Sequence, residues 1–188
     1  MPLSIQEVFS LAGKEQVALV KDDPIFYMVF NTNFNMLDFE FIKRCNQIID
    51  EVEASEGEKV LITINSGKIF SAGFNLKFWD AKPKNKPLSI ILAQRLFARF
   101  ITLSIPSLAI FNGPSIAGGV FIGLCHDEIW MANDPKSFVW VNENSFGAIL
   151  PSGFAELLKE TTSPGTARKL MSCKKFTPEQ SLEMQVLS

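Results

Sequence analysis

The chain reads as an α/β domain built on a parallel sheet, and three observations predict it. Short apolar runs alternate with stretches of 3.6-residue periodicity, turn residues punctuate the exits from those runs, and 188 residues suit one domain with a single substantial core. Val17 to Lys21 and Ile25 to Phe30 read as two strands joined at Asp22-Asp23-Pro24, a hairpin-like start. Behind Asp38 as N-cap, Ile42, Cys45, Ile48, Ile49 and Val52 recur at helical spacing, which predicts an amphipathic helix over Asp38 to Ala54. Lys59 to Asn65 (KVLITIN) is a buried strand. Ala81 to Pro87 (AKPKNKP), with its lysines and prolines, reads as a solvated loop, and Leu88 to Leu103 as a second helix. Ser107 to Phe111 makes another strand, Gly118 to Cys125 a short helix, and Asp127 to Ala132 and Ser137 to Val141 two more strands. Ser163 caps a helix that has Pro164 at its first position, and Thr177-Pro178-Glu179-Gln180 is a capping box. Strands alternating with crossover helices are the pattern of parallel βαβ units, whose ligands sit on the loops at the carboxyl ends of the strands.

Composition removes several classes of function. Apolar residues make up 47% and charged residues 20%, the balance of a folded globular chain. Lys and Arg number 18 against 20 Asp and Glu, a net charge of −2, so there is no basic footprint for nucleic acid. Cys45, Cys125 and Cys173 are odd in number and lack metal-ligand spacing, which points to a reducing compartment and away from zinc or disulfides. The 25 uncharged residues from Ile101 to Cys125 are long enough to span a bilayer. Pro106, Asn112-Gly113 and Pro114 break that run into strand, turn and short helix, so no membrane span is expected. The first twenty residues resemble neither a secretory signal nor an Arg-rich transit peptide, and Gln-Val-Leu-Ser is no peroxisomal address.

Three strand-exit loops carry the chemistry. In Ser66 to Leu76 (SGKIFSAGFNL) the small residues Ala72 and Gly73 let backbone approach a ligand, with the Phe74 amide following. In Asn112 to Val120 (NGPSIAGGV) Gly118 and Gly119 leave bare amides at a helix start, a seat for negative charge. Each loop alone has a plain explanation, an ordinary turn glycine or close helix-sheet packing. Together they could supply two N–H donors to one oxygen, which is what an enolate or tetrahedral oxyanion requires. In Phe138 to Gly147 (FVWVNENSFG), Glu143 is the only charge between Lys136 and Glu156. Desolvation among aromatic residues would raise its pKa toward a value useful for proton transfer, whereas the plain alternative is an exposed Glu at a strand end. His126, the single histidine, sits where it would pair with helix-terminal carbonyls, and Cys125 reads as a core thiol. Trp79 and Trp140 suit an acyl pocket or the core equally.

Read together, these loops resemble the crotonase superfamily of enoyl-CoA hydratases and isomerases, and most of all the Δ3,Δ2-enoyl-CoA isomerases. The likeness runs from about Val17 to the C-terminus: Asn31 to Leu37 (NTNFNML), KIFSAGFNLK, NGPSIAGGVFIGLCHDEIWMA and FVWVNENSFGAILP follow the family's ordered segments. The resemblance implies a crotonase-like fold of repeated ββα units. It implies that the Phe74 and Gly118 amides form the oxyanion hole for a thioester carbonyl, and that Glu143 moves the proton. Ala72, Gly73, Asn75, Leu76 and Gly119 would then border the acyl-CoA. No cofactor is implied beyond the CoA of the substrate, and the expected compartment is peroxisome or cytoplasm.

Two departures from the family pattern matter. Hydratases of the family carry a second glutamate two residues after the glycine pair, where this chain has Phe121. One carboxylate suits a 1,3-proton shift better than addition of water, which wants two acid/base groups. Family members also continue into further C-terminal helices that cover the acyl pocket and build trimer-like homo-oligomers. This chain stops at Gln185-Val186-Leu187-Ser188, around where those begin, so most of that lid is expected to be missing, which counts against the oligomer. Beside the isomerase stand two alternatives: a crotonase-fold pseudoenzyme acting as an acyl-CoA-binding or assembly subunit, and a hydratase.

Overall fold

A computed structural model describes residues 2–188. The chain opens with α1 (Ile5–Leu11), started by a capping box in which Ser4 accepts from the Glu7 amide while the Glu7 carboxylate accepts from the Ser4 amide. The strands β1 (Val17–Asp22) and β2 (Ile25–Phe30) pair antiparallel, from Val17 opposite Phe30 to Asp22 opposite Ile25. Helix α2 (Phe39–Glu53) begins where the Asp38 carboxylate accepts from the Phe41 amide, and it buries the expected stripe Ile42, Cys45, Ile48, Ile49 and Val52. Then follow β3 (Val60–Asn65), α3 (Leu76–Ala81), α4 (Asn85–Ile101), β4 (Ser107–Phe111), the two-residue β5 (Ser115–Ile116) and α5 (Gly118–Gly123). The chain continues through β6 (Glu128–Met131), β7 (Val139–Trp140), a 3₁₀ turn (Glu143–Phe146), α6 (Ser152–Thr161), α7 (Pro164–Leu170) and α8 (Pro178–Glu183).

The main sheet has the order β1-β2-β3-β4-β6, parallel from β2 onward, as the alternation of strands and crossovers predicts. A large core fills one face, with α2, α4 and α5 packed on it through Phe41, Phe97, Phe100 and Phe121. A smaller one, containing Val8, Ala18, Val20, Val29 and Ile64, lies under α1 on the other face. No described helix is long and apolar enough to cross a membrane; the uncharged run from Ile101 is divided among β4, β5 and α5.

Several expectations are corrected. Ala81 to Pro87 is not a loop throughout: Ala81 ends α3, and α4 already starts at Asn85 rather than Leu88. Pro87 fits the first turn because its missing N–H has no intrahelical acceptor there, and the Asn85 amide is buried, donating to the Phe78 carbonyl at 2.6 Å. The helices α1, α3 and α6 were not expected: α1 starts on the Ser4–Glu7 capping box, α6 buries the stripe Phe154, Leu157 and Leu158, and the six-residue α3 buries nothing and is held by its Asn75 cap. Finally, only Val139–Trp140 of the segment Ser137 to Val141 is strand, and it joins a second sheet, β5-β7.

His126 is structural. Its Nδ1 lies 2.9 Å from the Ile122 carbonyl and therefore carries the proton, which leaves Nε2 to accept from the Thr63 hydroxyl at 2.8 Å. The ring stacks at 4.7 Å on Phe100. Burial pushes its pKa down to about 4, against the Ile122 hydrogen bond and the Asp127 charge, which both favour the cation. A folded pKa below the unfolded value of 6.5 means that this contribution is fully present above pH 6.5 and is lost as pH falls towards 4. Denaturant titrations of wild type and His126→Gln across that window should therefore diverge, the wild type losing about 3 kcal/mol more stability than the variant between pH 7 and 4.

Candidate active site

The second sheet brings the three loops together. Ser71 bridges Ser115, and Ser115 pairs with Val139, all parallel, so three strand exits run side by side in one register. Three residues beyond these partners lie Phe74, Gly118 and Asn142, and Glu143 comes next. Leu37 adds a single parallel bridge beside Phe74, and Phe176 closes the other edge against Val139. Hydrogen bonds of 2.8–2.9 Å link the exits: Ile116 N–H to the Ser71 carbonyl, Phe70 N–H to Pro114, and Ala117 N–H to Trp140.

Two amides are left over by this ladder. The Leu37 N–H donates to the Gly73 carbonyl and the Asn75 N–H to the Leu37 carbonyl, so Phe74 between them turns its own N–H away from Leu37, towards the Gly118 side. The Gly73 N–H is already spent on the Ser71 hydroxyl at 3.1 Å. Gly118 is the first residue of α5, where an amide has no intrahelical acceptor. Among the described residues neither the Phe74 nor the Gly118 N–H has an acceptor within the protein.

Their backbones touch. Gly73 has φ +78°, and a Cβ on it would sit 2.8 Å from both the Gly118 nitrogen and the Ala117 Cβ. A Cβ on Gly119 would sit 2.7 Å from the Ser71 carbonyl oxygen. The second loop turns at Ala117, with φ 51° and ψ −126°, a conformation that costs an alanine roughly 1–3 kcal/mol. Asn35 holds the first loop from behind: its amide donates to the Ile69 and Phe70 carbonyls at 2.9 and 3.0 Å and accepts from Thr32. The Ser71 hydroxyl in turn donates to the Asn35 carbonyl at 2.7 Å. Asn65 and Asn112 lock the ends of β3 and β4 to each other, the Asn65 side chain accepting from the Asn112 amide and donating to its carbonyl, both at 2.9 Å.

These exits open on a cavity of about 400 Å³, within the usual range for a small-molecule site. Ala72, Phe74, Leu76 and Ala117 line one side, Trp79 and Ile90 another, and Asn142, Glu143, Leu150 and Phe154 the rest. Glu143 is half-buried and its Oε2 has no hydrogen-bond partner. Burial raises its pKa, with its own amide and that of Asn142 pulling the other way. Asp80 and Lys86 stand on the same cavity, both exposed. Phe121 is fully buried and packs at 4.9 Å behind Phe154.

A sequence profile of the family described as enoyl-CoA hydratase/isomerase matches residues 21–188. The chain belongs to that family. Among its curated relatives are enoyl-CoA delta isomerase 1, peroxisomal, of Arabidopsis thaliana, 26% identical over 72% of this chain and 57% of the relative, and enoyl-CoA delta isomerase 1, mitochondrial, of Mus musculus, 28% identical over 84% and 55%. The chain thus spans about half the length of these relatives. The enoyl-CoA isomerase structure from Mycobacterium tuberculosis superposes with a TM-score of 0.84 at 21% identity, covering 92% of this chain and 75% of that one, which shows the crotonase fold. Enzymes of the family act on CoA thioesters without a separate cofactor.

Against the residues expected from the family's motifs, the structure places Phe74, Ala72, Leu76 and Glu143 on the cavity wall. Gly118 follows the cavity-lining Ala117, and Gly73 and Gly119 are points of close backbone approach between the two loops, as is Gly113, where a Cβ would collide with the Lys68 carbonyl oxygen. Asn75 caps α3, accepting from the Phe78 amide at 3.1 Å. Trp79 lines the cavity, whereas Trp140 donates to the Cys173 carbonyl. Cys45 and Cys125 are buried thiols whose pKa burial pushes up. Among the described residues no three His, Cys, Asp or Glu side chains gather as metal ligands. The reading of the sequence missed Ala117, Asn142, Ile90 and Phe154. Asn142 was in view beside Glu143, but Ala117 carries a positive φ without a glycine, and Ile90 and Phe154 are brought in by helices.

Gly73→Ala would drive a methyl into Gly118 and Ala117 and should lower stability by about 2–3 kcal/mol, roughly 5–10 °C in Tm. Gly57→Ala is the comparison: φ there is +84°, yet nothing lies within 4 Å, so only the backbone cost applies and its thermal melt should fall clearly less.

Proposed function

We propose that this chain is an enoyl-CoA isomerase that moves a double bond from C3 to C2 of an acyl-CoA thioester, with Glu143 as its single proton carrier. The observation that carries this reading is one half-buried carboxylate on a cavity whose neighbouring strand exits present two unpaired amides. The thioester oxygen sits between the Phe74 and Gly118 N–H groups. Glu143 removes a proton from C2, and the C2–H electron pair passes into a dienolate whose charge rests on that oxygen. The same proton, returned to C4, gives the 2-trans-enoyl thioester and restores the carboxylate. The reaction is redox-neutral and consumes no water.

Glu143 suits the work because burial brings its pKa closer to that of a base poised near neutral pH, while two backbone amides keep the carboxylate populated. Hydration fits the site less well. At the position where hydratases of the family place their second glutamate, Phe121 is sealed behind Phe154. Asp80, the other carboxylate on the cavity, is exposed. Aromatic walls from Phe74, Trp79 and Phe154 suit an acyl chain. The names of the Arabidopsis and mouse relatives support the same reading.

Following conversion of a 3-enoyl-CoA spectrophotometrically should show turnover by the wild type and a loss of about 10²–10⁴-fold in kcat for Glu143→Gln. Equal rates would remove Glu143 from the mechanism. Conversion of a 2-enoyl-CoA to the 3-hydroxyacyl product at a comparable rate would favour the hydratase, and no detectable binding of acyl-CoA in calorimetry would leave the scaffold reading.

A further inference from the structure

The proton carrier has a neighbour that the reaction scheme does not yet use. Among the described residues the Asn142 Oδ1 and the Glu143 Oε2 are both buried, both line the cavity and both lack a hydrogen-bond partner. Both are acceptors as they stand, and leaving a buried acceptor unpaired costs about 1–3 kcal/mol. Two acceptors on neighbouring residues of one cavity can satisfy each other only through a proton. An amide has the further property that half a turn about its last bond exchanges its carbonyl oxygen for an NH₂ donor.

We propose that Asn142 is a positioning residue for Glu143, its side-chain amide accepting from the carboxylic acid after proton abstraction and, turned over, donating to the carboxylate before and after. This deepens the isomerase reading and rests on Glu143 as the proton carrier. A one-residue shuttle must hold its carboxyl group steady in two charge states while the proton is carried from C2 to C4. A fixed donor would favour one state only, whereas an amide follows both. The local geometry supplies the means: Asn142 and Glu143 are consecutive residues at the start of the 3₁₀ turn, and the Ala148 N–H ties the turn back by donating to the Glu143 carbonyl at 3.0 Å. The charged groups that share the cavity, Asp80 on α3 and Lys86 on α4, are exposed and lie on elements remote in sequence from the turn.

The test compares wild type, Asn142→Leu and Asn142→Ala in 3-enoyl-CoA turnover across pH, with Glu143→Gln alongside and a ¹³C NMR titration of the Glu143 carboxyl carbon in each protein. The leucine keeps the volume and removes the amide, and the alanine repeats the comparison without adding bulk should the leucine disturb packing. The expected result is a fall of about tenfold in kcat, the worth of one hydrogen bond, with KM changed less than about threefold. Both charge states lose a partner, but the bond to the ionised carboxylate is the stronger of the two, so the pH limb of kcat and the NMR titration of Glu143 should move together to higher pH. Wild-type kcat with an unmoved limb, or a loss of rate with an unmoved titration, overturns the role given to Asn142. Full activity in Glu143→Gln overturns the reading on which it rests, and the inference with it.

Discussion

Everything in the site depends on two strand exits packed backbone to backbone, Gly73 against Ala117 and Gly118, with no room for a Cβ between them. On the proposed reading one oxygen takes donors from two chain segments, and side chains at the contact would hold those segments apart. Glycine at 73 and 119 therefore acts as a spacer of zero thickness. The hydrogen bonds between Ser71 and Ile116 and between Ala117 and Trp140 then set the register, so that Phe74, Gly118 and Glu143 leave the small sheet at the same end. Register in a parallel ribbon is discrete, and a slip by one residue would turn every one of these groups to the other face.

The stability of the fold is spent unevenly around this point. The main core is rich in phenylalanine, and the asparagine clamps, the buried Asn35 and Asn65 and the exposed Asn112, are hydrogen-bonded to neighbouring backbone. The cavity is where local rules are broken: Ala117 holds a strained backbone, and Trp79 Nε1, Asn142 Oδ1 and Glu143 Oε2 are buried without partners. At roughly 1–3 kcal/mol each, these four features together approach the net stability of an ordinary domain, so the surrounding core must over-determine the site. Such a cluster of uncompensated groups on one cavity supports the proposal that the chain meets its substrate there.

Acid/base character arises the same way. Glu143 and His126 are both shifted toward their neutral forms by burial, yet only Glu143 faces the cavity. The histidine satisfies both ring nitrogens within the core, through Ile122 and Thr63, and so belongs to the architecture. Burial alone does not distinguish the two; the unpaired oxygen does.

The sequence by itself determined the strand and helix order of the parallel sheet, because hydrophobic periodicity is a local property that burial on one or both faces imposes. It also singled out the two glycine loops and the isolated Glu143, since a glycine pair after an apolar strand and one charge in a long uncharged segment are visible without coordinates. The helical starts of α3 and of α4 at Asn85 were illegible, because six residues that bury nothing and a stretch of lysines and prolines carry no apolar period; α1 and α6 do carry local signals, the Ser4–Glu7 capping box and the Phe154, Leu157, Leu158 stripe, and were missed. Tertiary structure alone decided that Ser71, Ser115 and Val139 share a register, that Ala117 bears a positive φ, and that Phe154 packs between the cavity and Phe121. Those facts are relations between segments distant along the chain, settled by which backbones can approach and which side chains must fill the space left between them.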